Sequence, residues 1–133
     1  MKLLSRQTDY AINALCFMAR HKGTVSAADV QKELGMPRAF IRGILLRLAK
    51  AGFLCSRRGP HGGFTLAGVP ARITVLQVMQ EFQTDTLGVH CAFRKLPCPR
   101  KSRCRLRSHL SVVNNLLCKR LQKITIGSLE RVA

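Results

Sequence analysis

Three of the six cysteines lie in one short, basic stretch of the sequence. Cys91, Cys98 and Cys104 are spaced C-x6-C-x5-C, and Lys and Arg residues lie between them. Thiolates hold iron–sulfur clusters, and a stretch without regular periodicity would let widely spaced cysteines converge on one cluster. Neighbouring positive charges favour the deprotonated form that such ligation needs. The pattern therefore favours an iron–sulfur site.

Two other chemistries remain open for these three thiols. A structural zinc site usually contains close C-x2–4-C pairs, and this stretch has none. Low-pKa thiols beside Arg and Lys could instead act as a redox switch without a metal. Three unmodified cysteines are less favoured, because free cysteine prefers apolar surroundings. We interpret the remaining cysteines as structural: Cys16, Cys55 and Cys118.

The chain is strongly basic, with 23 Lys and Arg residues against six acids and a net charge of +17 over 133 residues. This excess indicates a polyanionic partner, and nucleic acid is the first candidate. No apolar run is long enough to span a bilayer, and the N-terminal stretch lacks a signal-peptide core. We therefore expect a cytoplasmic protein. Because the cytosol is reducing, clustered thiols there indicate metal or redox chemistry rather than disulfides.

The elements that would position these residues are mostly helical. Apolar periodicity and capping residues predict four helices, over 5–22, 26–34, 37–51 and 73–82. Strand patterns on both sides of the Gly-rich turn 59–63 predict a β-hairpin. Residues 84–103 show no periodicity, and a long helix resumes at about Leu106. The predicted fold is mostly α with a small β-hairpin: a winged helix-turn-helix plus a long C-terminal dimerisation helix.

Basic residues lie where a helix-turn-helix and its wing would meet DNA. The helix over 37–51 would enter the major groove, with Arg38 and Arg42 on one face near its N-terminal end. The basic tip of the hairpin could enter a minor groove or contact phosphates. The predicted DNA-binding residues are Arg38, Arg42, Arg47, Lys50, Arg57, Arg58 and His61.

An apolar seam runs along the long C-terminal helix, at steps of four and three residues close to a heptad. An exposed stripe of this kind on a small domain would be an apolar patch, so we expect it to pack against its copy in a second chain. The seam consists of Leu106, Leu110, Val113, Leu117 and Leu121. The predicted organisation is a DNA-binding domain over 1–83, a cysteine loop over 84–104, and a dimerisation helix with a tail over 105–133.

The ordered set of motifs resembles the IscR/NsrR/RirA group of winged-helix transcriptional regulators over nearly the whole chain. The matching stretches are LLSRQTDYAINAL, AFIRGILLRLAKAGFLCSRRGPHGGFTLA with its R-G-x-x-G-G-F turn, and ITVLQVMQEF. The three cysteines and the long helix then follow in the same order. The resemblance implies a homodimer, a repressor rather than an activator, that binds a near-palindromic DNA operator. It also implies that the protein senses iron, redox state or nitric oxide through a cluster.

The resemblance further implies which residues hold that cluster. Cys91, Cys98 and Cys104 would be three ligands, with a [4Fe–4S] cluster preferred over a [2Fe–2S] cluster. IscR-type proteins carry a His where this chain has Arg107. NsrR-type proteins instead use an Asp of the first helix, donated across the dimer in a T-D-Y-like context, and residues 8–10 of this chain read T-D-Y. Asp9 is therefore the preferred fourth ligand.

Two rival functions stay open at this point. One is a regulator of the same fold that uses bare thiols or zinc in place of a cluster. The other is an enzyme or a non-DNA-binding interaction module that merely shares the winged fold. No Ser/His/Asp set, phosphate loop or paired carboxylate stands out in the sequence, so we do not expect an enzyme.

Overall fold

Six α-helices and one hairpin make up the part of the chain that the computed structural model describes, residues 3–83, 99 and 103–130. In chain order the elements are α1 (Arg6–Arg20), α2 (Ala27–Leu34), α3 (Arg38–Lys50), β1 (Leu54–Arg57), β2 (Gly63–Leu66), a 3-10 turn (Pro70–Arg72), α4 (Val75–Phe82), α5 (Arg105–Gln122) and α6 (Ile126–Glu130). This order confirms the predicted winged helix-turn-helix, with α2 and α3 as the helix pair and β1–β2 as the wing.

Local signals in the sequence set the ends of the first three helices. The Ser5 hydroxyl accepts a hydrogen bond from the backbone N–H of Thr8 at 3.1 Å and caps α1. Ser26 and Asp29 form a reciprocal capping box at the start of α2, and Gly35 ends that helix in the left-handed region at a φ of 67°. Pro37 is the N-cap of α3, so the helix begins one residue later than predicted.

The core lies between α1, α3 and α4. Leu15, Leu45, Leu48 and Met79 are fully buried there, and Leu, Ile and Val make up most of the other core residues. Two residues from the C-terminal region, Leu121 of α5 and Ile126 of α6, belong to the same core. The DNA-binding domain predicted over 1–83 therefore shares its core with later residues. Over the described residues, no helix is both long and apolar enough to cross a membrane.

The wing hairpin is attached to the turn between α1 and α2. Val25 and Phe64 exchange two backbone hydrogen bonds of 2.8 and 2.9 Å, which form an isolated antiparallel bridge beside β2. A Cβ on Gly63 would meet the Val25 carbonyl oxygen at 2.6 Å, and a Cβ on Gly62 would overlap the Arg57 carbonyl oxygen. Gly62 in the turn and Gly63 at the start of β2 are thus required by close backbone approach.

The stretch predicted as a tail contains α6. Thr125 and Ser128 exchange backbone-to-hydroxyl hydrogen bonds of 3.0 Å each, which cap this short helix. The segment just before it pairs with the start of α4: the Val75 N–H donates to the Ile124 carbonyl at 2.9 Å, and the Ile126 N–H donates to the Ile73 carbonyl at 2.8 Å. The C-terminal region is therefore fixed to the DNA-binding domain.

Candidate nucleic-acid interface and cysteine site

The outward face of α3 is basic at its N-terminal end. Arg38 and Arg42 are exposed, and within the described part of the chain their guanidinium groups make no hydrogen bond or ion pair. Ala39, Gly43 and Leu46 are exposed beside them, and Leu46 exposes 48% of its surface. Arginine can bind guanine bidentately, and small or apolar side chains can contact thymine methyl groups. This face can therefore read base edges.

The N-terminus of α3 also suits a phosphate group. It has no side-chain cap and no acid in its first turn, in contrast to α2 with its capping box. Uncapped N–H groups and the positive end of the helix dipole favour an anion. Arg38 adds a full positive charge at the same place. The first turn of α3 is therefore suited to approach the DNA backbone.

The wing places its basic residues at the tip of the hairpin. Arg57 pairs with Gly63 at the last position of the β1–β2 ladder, so residues 58–62 form the turn. Arg57, Arg58 and His61 are all exposed there. The tip is thus positively charged and accessible, as expected for a wing that contacts phosphates.

Arg47 was predicted to bind DNA, but its side chain is engaged elsewhere. Its Nη2 donates a hydrogen bond of 2.6 Å to the main-chain carbonyl of Glu81, and its Nε lies 3.4 Å from Oε1 of the same residue. The guanidinium also lies 4.8 Å from the centre of the Phe82 ring. Lys50, in the next turn of α3, is exposed and makes no such contact within the described residues.

The predicted cluster ligands are only partly visible. Cys91 and Cys98 lie outside the described residues. Cys104 is half-buried and is the N-cap residue of α5. Asp9 is exposed in the first turn of α1, where Asn13 contacts its carboxylate at 3.4 Å. Among the described residues, no group of three or more His, Cys, Asp or Glu side chains could hold a metal ion.

A polar junction joins the beginning of α1 to the end of α4, and the sequence did not reveal it. Gln83, the C-cap residue of α4, accepts hydrogen bonds at its side-chain oxygen from the Thr8 hydroxyl at 2.7 Å and the Ser5 N–H at 3.0 Å. Its side-chain nitrogen donates to the Leu3 carbonyl at 3.2 Å. Asp9 follows Thr8, and the predicted cysteine loop begins one residue after Gln83, so the junction joins the residues that border these two predicted ligand segments.

The three remaining cysteines differ in their surroundings. Cys16 is half-buried on α1, and burial raises the pKa of its thiol above the ordinary value. Cys118 packs partly against the core, whereas Cys55 is exposed on β1. The setting of Cys16 suits the structural role expected for it, since a raised pKa disfavours thiolate chemistry.

The apolar residues of α5 differ in their burial. Leu121 is buried and Leu117 packs against the core, so part of the predicted seam faces the chain's own domain. Four residues instead form an exposed group that we call the α5 apolar surface. Its members, with their exposed fractions, are Leu106 (61%), Val112 (57%), Val113 (47%) and Leu116 (62%).

A helix-turn-helix with a basic outer face, followed by a basic wing, defines the chain as a winged-helix DNA-binding protein. Its residues 4–131 match the model of the Rrf2 family, described as an iron-dependent transcriptional regulator. The chain belongs to this family, which includes the IscR, NsrR and RirA regulators that its motifs resemble. It is a DNA-binding transcriptional regulator and not an enzyme, as predicted.

Individual relatives agree with this assignment. The chain is 29% identical over 131 residues to the HTH-type transcriptional regulator IscR of Aliivibrio salmonicida. The matched region covers 97% of this chain and 77% of that protein. It is 27% identical over 129 residues to the HTH-type transcriptional repressor NsrR of Streptomyces coelicolor, covering 95% and 86%. The solved structure of T. potens IscR has the same fold, with a TM-score of 0.78 at 22% identity over 98% of this chain and 87% of that one.

Proposed function

We propose that this regulator is a homodimeric repressor that senses iron, redox state or nitric oxide through an iron–sulfur cluster. Cys91, Cys98, Cys104 and Asp9 would hold the cluster, with [4Fe–4S] preferred over [2Fe–2S]. The cluster would supply a site that reacts with oxidant or nitric oxide, and the protein would convert that reaction into a change in DNA binding.

The chemistry of the donor set supports a cluster. Three thiols and one carboxylate match the preference of iron–sulfur clusters for thiolate ligands and leave one weaker, oxygen-ligated corner. Cys104 lies at the N-terminus of α5, where the helix dipole favours an anionic ligand, and the exposed Arg103 and Arg105 flank it. The carboxylate of Asp9 is exposed.

The observation that carries the proposal is the bond between Thr8 and Gln83. This 2.7 Å hydrogen bond holds the turn of α1 that contains Asp9 next to the residue from which the cysteine stretch departs. In each protomer the turn that carries Asp9 thus lies beside Gln83, the last described residue before the predicted cysteine loop, and this placement supports Asp9 as a candidate ligand. The Rrf2 family is described as an iron-dependent transcriptional regulator, and this description supports the proposed iron–sulfur cluster.

DNA recognition would combine three parts of each protomer. Arg38 and Arg42 would contact base edges in the major groove, the first turn of α3 would contact a phosphate, and Arg58 and His61 of the wing would contact the backbone or the minor groove. The α5 apolar surface would pack against its copy in the second protomer, because an apolar group of this kind marks an interaction site. Two such protomers related by a two-fold axis would read a near-palindromic operator.

Anaerobic purification followed by absorption spectroscopy and iron and sulfide analysis tests the cluster. We expect Cys91→Ala, Cys98→Ala and Cys104→Ala each to abolish the visible absorption band, and the control variants Cys55→Ala and Cys118→Ala to retain it. A colourless wild-type protein that contains zinc or no metal would contradict the proposal and support the thiol or zinc regulator. Binding of the loaded and metal-free forms to operator DNA would then show which form represses.

A further inference from the structure

Arg47 lies on a different side of α3 from the arginines that face outward. At about 100° per residue, Arg42 and Arg38 are separated by about 40° around the helix axis, whereas Arg42 and Arg47 are separated by about 140°. On that side Arg47 faces the last turn of α4, where its guanidinium contacts Glu81 and Phe82.

The last turn of α4 lacks a positive charge of its own. No basic residue lies there, although carbonyl groups at the end of a helix need donors and form the negative end of the dipole. Arg47 supplies a donor and a positive charge, because its Nη2 donates a 2.6 Å hydrogen bond to the Glu81 carbonyl. The Phe82 ring lies beneath the guanidinium group and the Glu81 carboxylate lies beside it. Together they fix the plane of the guanidinium group.

The same turn of α4 is connected to two other parts of the molecule. Gln83, the next residue, makes its three side-chain hydrogen bonds to Leu3, Ser5 and Thr8 at the beginning of the chain. The predicted cysteine loop, residues 84–104, starts immediately after Gln83. Arg47 thus connects the recognition helix α3 to Glu81 and Phe82, the two residues that precede the Gln83 junction.

We propose that Arg47 is a positioning residue, which sets the placement of α3 against the last turn of α4 and does not contact DNA. This replaces its predicted role as a DNA-binding residue. The link to sensing rests on the proposed cluster: a change at Gln83, the last described residue before the predicted cysteine loop, would reach α3 through Phe82 and Arg47.

A salt series separates a positioning residue from a phosphate contact. The probes are a duplex selected by the wild-type protein from a random-sequence pool and a duplex of unrelated sequence, with metal-free protein throughout. We expect Arg47→Ala to lose about tenfold in affinity for the selected duplex while the slope of log K against log salt stays unchanged, since the slope falls by about 0.9 only for each lost phosphate contact. The matched control Lys50→Ala, on the same helix, should weaken both duplexes and lower the slope.

The conservative variant Arg47→Lys sharpens the test. Lysine keeps the charge but lacks the planar fork that stacks on Phe82, so we expect little rescue. A lower slope in Arg47→Ala, or full affinity in Arg47→Lys, would overturn the proposal. Circular dichroism and thermal unfolding check that both variants are folded, as expected for a side chain that is 42% exposed.

Hydrogen exchange gives a readout that does not depend on DNA. The Gln83 N–H donates to the Met79 carbonyl at 2.8 Å, and we expect it to exchange faster in Arg47→Ala than in wild type or Lys50→Ala. Unchanged exchange would also overturn the proposal.

The ratio between the operator affinities of the cluster-loaded and the metal-free protein tests the link to sensing. We expect Arg47→Ala to bring this ratio closer to one. A wild-type ratio of one would refute cluster sensing and with it the link, while the salt slope and the exchange rate still decide the positioning role. A wild-type ratio that Arg47→Ala leaves intact would refute the link alone.

Discussion

The hydroxyl of Thr8 donates a 2.7 Å hydrogen bond to the side-chain oxygen of Gln83, and this bond joins residues that are 75 positions apart in the chain. Thr8 is fully buried, and its oxygen also lies 2.8 Å from the Ser5 hydroxyl. Three polar side chains at the N-terminus of α1 and the C-terminus of α4 thus satisfy one another in a partly buried setting. The relative position of these two helix ends is fixed by this small network.

Thr8→Val should destabilise the fold although it keeps the shape of the side chain. The substitution removes a donor from a partly buried acceptor, and a loss of this kind costs about 1–3 kcal/mol in the free energy of unfolding. Thr8→Ser keeps the hydroxyl and loses one methyl group, so it should cost only about 0.8 kcal/mol. Urea denaturation of the two variants gives the comparison. Equal stability of Thr8→Val and wild type would show that the network contributes nothing.

Arg42→Ala and Arg58→Ala should weaken DNA binding in different ways. Arg42 lies on the outer face of α3, and losing a bidentate contact to guanine would cost about 1–3 kcal/mol for the operator only. Arg58 lies at the wing tip, and its loss should weaken specific and non-specific duplexes alike and lower the salt slope. Fluorescence anisotropy with both duplexes over a salt series measures this. If both variants keep full operator affinity, the proposed DNA-binding face is in the wrong place.

Leu116→Asp should produce a folded monomer. Leu116 exposes 62% of its surface and belongs to the α5 apolar surface, so a charge there should prevent packing against a second chain without disturbing the core. The control Asn115→Asp adds the same charge at an exposed position of α5 outside that surface. Leu117→Asp should instead unfold the protein in part, since Leu117 packs against the core. Sedimentation and circular dichroism separate these outcomes, and a dimeric Leu116→Asp protein would exclude this surface as the interface.

Asp9→Ala should leave a cluster that is bound but altered. A missing oxygen ligand should change the visible spectrum and shorten the lifetime of the cluster in air, while three thiolates still retain it. Asn13→Ala removes the side chain that contacts the Asp9 carboxylate at 3.4 Å and is the matched control. Spectra of the anaerobic proteins, followed over time after exposure to air, provide the measurement. Identical behaviour of Asp9→Ala and wild type would eliminate Asp9 as a ligand.

The capping box of α2 should make stability depend on acid pH. Hydrogen bonds from the backbone N–H and the hydroxyl of Ser26 lower the pKa of Asp29 below its ordinary value of 3.8. A lowered pKa in the folded state contributes stability that is fully present above 3.8 and lost as the pH falls through the lower, folded value. Urea denaturation at successively lower pH should show this loss in wild type and a flatter profile in Asp29→Asn. Parallel profiles would contradict it.

Local chemistry made most of the fold predictable. Ser5, Ser26 and Gly35 mark helix ends through interactions within a few residues, and the structure places helix boundaries close to them. The turn of the wing was predicted from its local glycine-rich pattern, and the close approach of Gly62 to the Arg57 carbonyl is local, whereas that of Gly63 to Val25 is not. The missed helix α6 also had a local signal in Thr125 and Ser128, but it is one turn long and contains a glycine.

Side-chain roles that depend on distant main-chain atoms were not predictable. Periodicity places Arg47 on the polar side of α3, yet its partner is the carbonyl of Glu81, which no sequence pattern identifies. The seam of α5 shows the same limit. A heptad-like spacing indicates an apolar stripe, but it does not distinguish Leu117, which packs on its own domain, from Leu116, which stays exposed. The placement of Cys91 and Cys98 stays a prediction.

The docking of α6 has a consequence for how the chain folds as it is synthesised. Ile126 is fully buried in the core that α1 helps to form, and these two helices stand at opposite ends of the described chain. A nascent chain that has emerged from the ribosome only through α4 would lack Ile126 and the pairing of Ile124 with Val75. Its helix-turn-helix would expose the core side of α1 to chaperones and proteases. The ability to bind DNA should therefore arise late in translation, after α6 has left the exit tunnel.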